Sequence, residues 1–62
     1  MDTGLIIKKT KNMYQTWEIN LSGGKRAHRS DHDNLEDLLA DLQANANGYY
    51  ETIYLEGFLG HK

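Results

Sequence analysis

The feature that most constrains the fold is a change of hydrophobic period near the middle of the chain. Apolar and polar residues alternate over residues 13–21, which is the pattern of a strand with one buried face. Beyond residue 34 the spacing is instead that of one helix face, carried by Leu35, Leu38, Leu39 and Leu42. Residues 49–56 alternate again and are rich in residues that favour strands. One short helix is therefore expected between two strand-forming regions.

The remaining segments complete the predicted order of elements. A serine and two glycines at residues 22–24 suit a hairpin turn, so residues 25–30 are expected to return as a polar edge strand. Residues 49–56 carry apolar side chains on both faces, which favours a central or covered strand. Residues 1–11 are interpreted as a mobile arm, or as an extra edge strand over residues 5–9. We expect a single α+β domain in which a small antiparallel sheet of three or four strands and one helix follow the order (β)-β-β-α-β.

Two residues are candidates for the start of the helix. Asp33 with Glu36, and equally Asn34 with Asp37, have the spacing of a capping box. The end of the helix is expected at residues that readily adopt turn conformations, which are Asn45, Asn47 and Gly48. The leucines are expected to pack against apolar strand residues, which are Trp17, Ile19, Ile53 and Leu55.

The chain has 62 residues and no cysteine, which excludes disulfides and thiolate metal sites. A domain of this size buries only about 60% of its unfolded surface, so a second subunit is the expected source of further stability. We therefore expect a homodimer. The longest apolar run, residues 5–7, is too short to cross a membrane, and the first residues lack the features of a signal peptide. A soluble intracellular protein is expected.

Charge is distributed unevenly along the chain. Six basic and two acidic residues give residues 1–30 a net charge of +4, whereas one basic and seven acidic residues give residues 31–62 a net charge of −6. This division fits an acidic surface that faces a basic partner, or a basic strand pair that faces an acidic one. It also fits two faces that attract each other within the fold.

The histidine- and aspartate-rich junction at residues 28–33 raises the question of a metal or catalytic site, but neither pattern is complete. A closed zinc site needs four ligands, and no zinc-finger spacing is present. Ser30, Asp31 and His32 are adjacent in sequence, and neighbours seldom converge as nucleophile, orienting group and base. We expect turn and cap residues here, with no metal, no cofactor and no enzyme activity.

Two kinds of binding surface are left as candidates. Lys25, Arg26 and Arg29 could contact phosphates in a small nucleic-acid-binding module, although the chain as a whole is not basic. Alternatively, the leucine stripe exceeds what a small sheet can cover, which indicates a protein partner. Asp37 and Asp41 lie one helical turn apart, with β-carbons about 5–6 Å apart, close to the spacing of successive phosphates. A helix of this kind could imitate DNA.

The layout resembles that of the small uracil-DNA glycosylase inhibitors encoded by Bacillus podoviruses that replicate by protein priming. The resemblance covers roughly residues 13–56. It rests on the strand at residues 14–21, the turn at residues 22–25, the return strand to Ser30, the helix start at residues 34–37, Asn45, and the closing strand at residues 51–55. It is a likeness of layout with a few identities.

The resemblance implies a homodimer whose paired helices form an apolar pocket. This pocket would take the side chain that the glycosylase inserts into DNA when it flips uracil from the stack. Leu38 and Leu42 stand where the family has aromatic pocket residues, and Leu35 or Leu39 would lie at the subunit contact. The implied phosphate mimics are Glu36, Asp37 and Asp41, and His28 would lie at the rim.

The resemblance therefore implies a phage-encoded inhibitor that acts in the cytoplasm of a bacterial host. It would bind uracil-DNA glycosylase at its DNA-binding cleft by DNA mimicry, without membrane association or direct nucleic-acid binding. Another host enzyme as the target of the same design is the alternative within this class.

Overall fold

Four strands and one helix make up the regular structure of the computed structural model, which describes residues 2–58. The elements are β1 (Thr3–Lys9), β2 (Tyr14–Asn20), β3 (Arg26–His32), α1 (Leu35–Asn45) and β4 (Thr52–Glu56). The strands form one sheet in the order β3-β2-β1-β4, and α1 packs on one of its faces. The expected α+β class and order of elements are confirmed, as is the position of the polar return strand at an edge.

The sheet is mixed rather than purely antiparallel. β1 pairs with β2 and β2 with β3 in antiparallel fashion, but β4 runs parallel to β1. The connection explains this, because α1 carries the chain back along the sheet and β4 then starts in the same direction as β1. The expectation of an antiparallel sheet is therefore wrong for β4. The expectation of a central strand at residues 49–56 is also wrong, because β4 lies at an edge.

β1 is the most deeply buried strand of the sheet. The exposed fractions of Leu5, Ile6 and Ile7 are 1%, 1% and 6%. The strand pairs with β2 on one side and β4 on the other. The extra strand expected over residues 5–9 is therefore present as β1, but it lies inside the sheet rather than at an edge, and the alternative of a mobile arm is wrong. An uninterrupted apolar run such as this one is typical of a strand that is covered on both faces.

Asn34, rather than Asp33, caps the start of α1. Its side-chain oxygen accepts a hydrogen bond from the backbone N–H of Asp37 at 2.8 Å. At the other end, the backbone N–H of Ala46 donates to the carbonyl oxygen of Leu42 at 2.8 Å. Gly48 follows with φ of +73°, a backbone conformation that favours glycine. The helix thus ends close to the predicted residues, and the chain turns towards β4.

The core between helix and sheet is small. Leu38 is completely buried and contributes to a cluster with Leu5 and Ile7. The partly buried residues around this cluster are Tyr14, Leu42, Tyr50 and Phe58. Trp17 and Ile19 lie on the other face of the sheet, because alternate residues of a strand point to opposite faces. The expected packing of the helix against Trp17 and Ile19 is therefore wrong.

Candidate partner-binding surface

The helix lies over one half of the sheet and leaves the other half open. α1 contacts β2 and β3, while β4 is uncovered on the same face. The two exposed apolar residues of β4 on this face are Ile53 and Leu55, with exposed fractions of 56% and 65%. The side chains of α1 also fall on two sides of the helix, according to their position along it. One side carries Asp41 and faces β3, and the other carries Leu35, Leu39, Leu42 and Ala46.

A groove runs between the apolar side of α1 and β4. Its volume is about 420 Å³. It is lined by Leu5, Leu42, Gln43, Ala46, Asn47, Gly48, Tyr50 and Ile53. Leu5 belongs to β1, so the groove reaches down to the core, and its lining is mostly apolar. A concave apolar site of this size can hold apolar side chains of a partner, because most ligand sites are clefts with predominantly apolar walls.

Tyr50 forms one wall of the groove and is fixed by a hydrogen bond. Its hydroxyl group donates to the Glu18 carboxylate at 2.7 Å. Burial raises the pKa of Tyr50 to about 12, and the hydrogen bond and charge of Glu18 act in the same direction, whereas Arg29 opposes them. The phenol is therefore neutral at physiological pH and acts as a fixed wall rather than as an acid or base.

A polar layer lies under the opposite side of the helix. The Arg29 guanidinium donates to the Asp41 carboxylate at 2.6 Å and to the Thr16 hydroxyl oxygen at 3.2 Å. Thr16 is completely buried and is hydrogen-bonded to Ser30. Arg29 and Asp41 are themselves only 18% and 22% exposed at their side chains. Among the described residues that are not exposed, no buried side-chain polar atom lacks a partner.

The ion pair changes the protonation of both partners. The hydrogen bond from Arg29 lowers the pKa of Asp41, and it outweighs burial, which acts in the opposite direction. Burial alone would lower the pKa of Arg29, but the hydrogen bond and charge of Asp41 raise it overall. Asp41 is therefore an ionised carboxylate whose charge is compensated within the chain.

Ser30, His32 and Asp41 have the residue types of a hydrolase triad, but their geometry differs from one. His32 Nε2 lies 2.9 Å from the Ser30 hydroxyl oxygen and 3.6 Å from Asp41 Oδ2. A triad uses one ring nitrogen for the nucleophile and the other for the carboxylate. Here a single nitrogen faces both groups. The cluster is therefore a structural network beneath α1.

The predicted site residues fall into three groups. Leu38 is completely buried, so it belongs to the core and not to a surface pocket. Leu35, Leu39 and Leu42 lie on the groove side of α1, together with Glu36 at its margin, and the exposed fractions of Leu35 and Leu39 are 36% and 51%. The remaining predicted residues, Asp37, Asp41 and His28, lie elsewhere.

The surroundings of these last residues differ. Asp37 is exposed on the other side of the helix, and Asp41 is engaged by Arg29. His28 projects from β3 on the face without the helix, where it contacts Asp31 at 2.8 Å and the Trp17 ring with a centroid distance of 5.1 Å. Sequence reasoning missed Leu5 and Tyr50 as groove residues, because the β1–β4 pairing that places them is not visible in local patterns.

The basic hairpin is also engaged within the fold. Arg26 donates two hydrogen bonds to the Glu56 carboxylate, at 2.9 and 3.3 Å. These residues lie on β3 and β4, the two edge strands, so the ion pair spans the helix-free face of the sheet. With Arg29 bound to Asp41, Lys25 is the hairpin cation outside an ion pair within residues 2–58. The hairpin therefore offers little free positive charge to phosphates.

Within residues 2–58, no group of three or more histidine, cysteine or acidic side chains is arranged to hold a metal ion. No helix in this part of the chain is long and apolar enough to cross a membrane. No family model matches the chain, and no similar curated protein or solved structure was found.

Proposed function

We propose that this chain is a protein-binding inhibitor that takes an apolar side chain of its target enzyme into the groove between α1 and β4. The groove is the observation that carries the proposal. It joins an apolar helix side to exposed Ile53 and reaches the core at Leu5. Buried anchors that enter a pocket of the partner contribute most of the energy at protein interfaces.

Carboxylates near the start of α1 form a second contact region, with Glu36 on the groove side of the helix and Asp37 on its other side. Asp33, Glu36 and Asp37 are exposed, and they are not part of the ion pairs found in the described residues. Their charge also suits the positive end of the helix dipole. In this proposal they meet cations that otherwise bind phosphates, whereas Asp41 keeps α1 in place through Arg29.

The proposed target is uracil-DNA glycosylase of a bacterial host, met in the host cytoplasm. This part of the proposal is supported by the resemblance of residues 13–56 to the podovirus inhibitors. A glycosylase must take its target base out of the stack, and it needs its cleft free to do so. A protein that holds the inserted apolar side chain and covers the phosphate-binding surface would block this step.

The test is a uracil-excision assay with a bacterial uracil-DNA glycosylase and three forms of this chain. Gln43→Trp introduces a large ring at the groove, whereas Ala44→Trp places the same ring on the solvent side of the helix. The unmodified chain and Ala44→Trp are expected to inhibit equally. Gln43→Trp is expected to weaken inhibition about thirtyfold, as for loss of an anchor worth about 2 kcal/mol.

The outcomes separate the parts of the proposal. Equal inhibition by all three forms would exclude the groove as the binding site. A further result would be that the double variant Glu36→Lys with Asp37→Lys loses inhibition while Gln43→Trp keeps it. That result would indicate that the chain acts only through carboxylates that imitate phosphates, without the groove. If the unmodified chain does not inhibit at a large excess, uracil-DNA glycosylase is not the target. The same groove variants can then be compared on another DNA-binding enzyme.

A further inference from the structure

We propose that the outer edge of β4 pairs with β4 of a second copy of this chain, in antiparallel orientation about Tyr54. This interface differs from the paired helices implied by the resemblance. The proposal does not depend on the target of the groove, because it rests on the edge strand alone.

The two edges of the sheet differ in their protection against pairing. β3 carries charged side chains and a register shift opposite Thr16 and Trp17, and such features discourage a further strand. β4 has neither proline nor lysine, and no strand pairs with its outer edge within residues 2–58. Its three central residues are exposed by 56%, 44% and 65%. An apolar, unpaired edge of this kind is a site where another strand adds.

The sequence of β4 is complementary to itself in one register. With Tyr54 opposite its own copy, Ile53 faces the second copy's Leu55, and Thr52 faces Glu56. No like charges meet, since Glu56 is the only charged residue of the strand and Arg26 already neutralises it. Opposite residues in an antiparallel pair point to the same face, so apolar residues meet apolar ones.

This register also preserves the orientation of the two sheet faces. Both helices then lie on the same side of a continuous eight-stranded sheet, because the two-fold axis is perpendicular to it. The isoleucines and leucines of the two copies form one apolar stripe across the axis, between the two grooves. A second copy therefore covers exposed apolar surface that a chain of 62 residues otherwise leaves in water.

The first experiment measures self-association by sedimentation over a range of concentrations. Ile53→Lys with Leu55→Lys places lysines opposite lysines, and Ile53→Glu with Leu55→Glu places glutamates opposite glutamates. Each double variant is expected to dissociate, with a Kd at least about tenfold weaker than that of the unmodified chain. An equimolar mixture of the two is expected to associate, because every lysine then faces a glutamate. Circular dichroism checks that each variant is folded.

A second experiment uses the absence of cysteine from the chain. Tyr54→Cys places one thiol from each copy at the two-fold axis and is expected to form a disulfide-linked dimer on mild oxidation. Leu39→Cys serves as the control, because the helices are apart in this arrangement. Preferential crosslinking of Leu39→Cys, or dissociation by Leu39→Lys but not by the β4 variants, would overturn the proposal in favour of paired helices. A chain that stays monomeric at all concentrations would overturn it as well.

Discussion

Replacement of Asp41 by asparagine tests the ion pair that joins the basic and acidic halves of the chain. The substitution keeps the size of the side chain and removes its charge. Arg29 then remains 18% exposed without its anionic partner at 2.6 Å. A charge left unpaired in such a position destabilises the native state, because it has lost most of its water without gaining compensation.

The magnitude follows from the burial of the pair. Breaking a fully buried ion pair costs about 3–5 kcal/mol, whereas an exposed pair contributes about 1 kcal/mol or less. At 18% and 22% exposure the Arg29–Asp41 pair lies between these limits, so we expect a loss of about 2 kcal/mol in the free energy of unfolding. For a domain of this size, that corresponds to a decrease in Tm of about 8–16 °C.

The assay is urea denaturation at a series of pH values. Because Arg29 lowers the pKa of Asp41, the contribution of the carboxylate is present above its unfolded pKa of about 4. It is lost as the pH falls through the lower folded pKa and the carboxylate is protonated. The difference in stability between the unmodified chain and Asp41→Asn is therefore expected to shrink below about pH 4.

A double variant that lacks both charges provides the control. Arg29→Met together with Asp41→Leu removes both charges, and it is expected to restore part of the stability that Asp41→Asn loses. The expected contribution of the ion pair is refuted if Asp41→Asn costs less than about 0.5 kcal/mol at pH 7, a difference within the usual range of surface substitutions. It is also refuted if the cost stays the same at acidic pH, since another interaction would then be responsible.

Three further predictions concern single residues. Asn34→Ala removes the side-chain bond to the N–H of Asp37 and is expected to cost about 1 kcal/mol, measured by urea denaturation. Gly57→Ala is expected to prevent stable folding, checked by circular dichroism, because φ is +83° and a Cβ there would overlap the Lys9 carbonyl oxygen. Tyr50 has a raised pKa of about 12, so its contribution to the free energy of unfolding is present below its unfolded pKa of about 10 and is lost as the pH rises towards 12. In base denaturation, Tyr50→Phe is expected to lose this pH dependence of stability.

Local patterns were sufficient to predict the helix and the order of the elements along the chain. The leucine spacing defines α1, and the cap residue was one of two neighbours that the sequence offered. The polar return strand at one edge also follows from its composition, because charged residues tolerate an unpaired edge. These features depend on residues that are close in sequence.

Features that depend on distant residues could not be predicted in the same way. Residues 5–7 read as a short apolar run, and nothing local indicates that β2 and β4 both pair with the strand that contains them. The rotation of the helix about its axis decides that Leu38 is buried while Leu39 is exposed, and Asp41 then faces Arg29 on β3. This ion pair joins the basic and acidic halves of the chain, as expected if the two charged faces attract each other. The carboxylate of Asp41 is therefore engaged within the fold and is not free for a partner.

The most direct test of the proposed function is a competition experiment with labelled DNA. A catalytically inactive form of a bacterial uracil-DNA glycosylase is bound to a fluorescent uracil-containing duplex. This chain is then added while the fluorescence anisotropy of the duplex is recorded. We expect the DNA to be released completely, near two chains for each enzyme if the dimer is the binding form, and we expect the chain alone not to bind the duplex. DNA that remains on the enzyme at a large excess of this chain would contradict the proposed function.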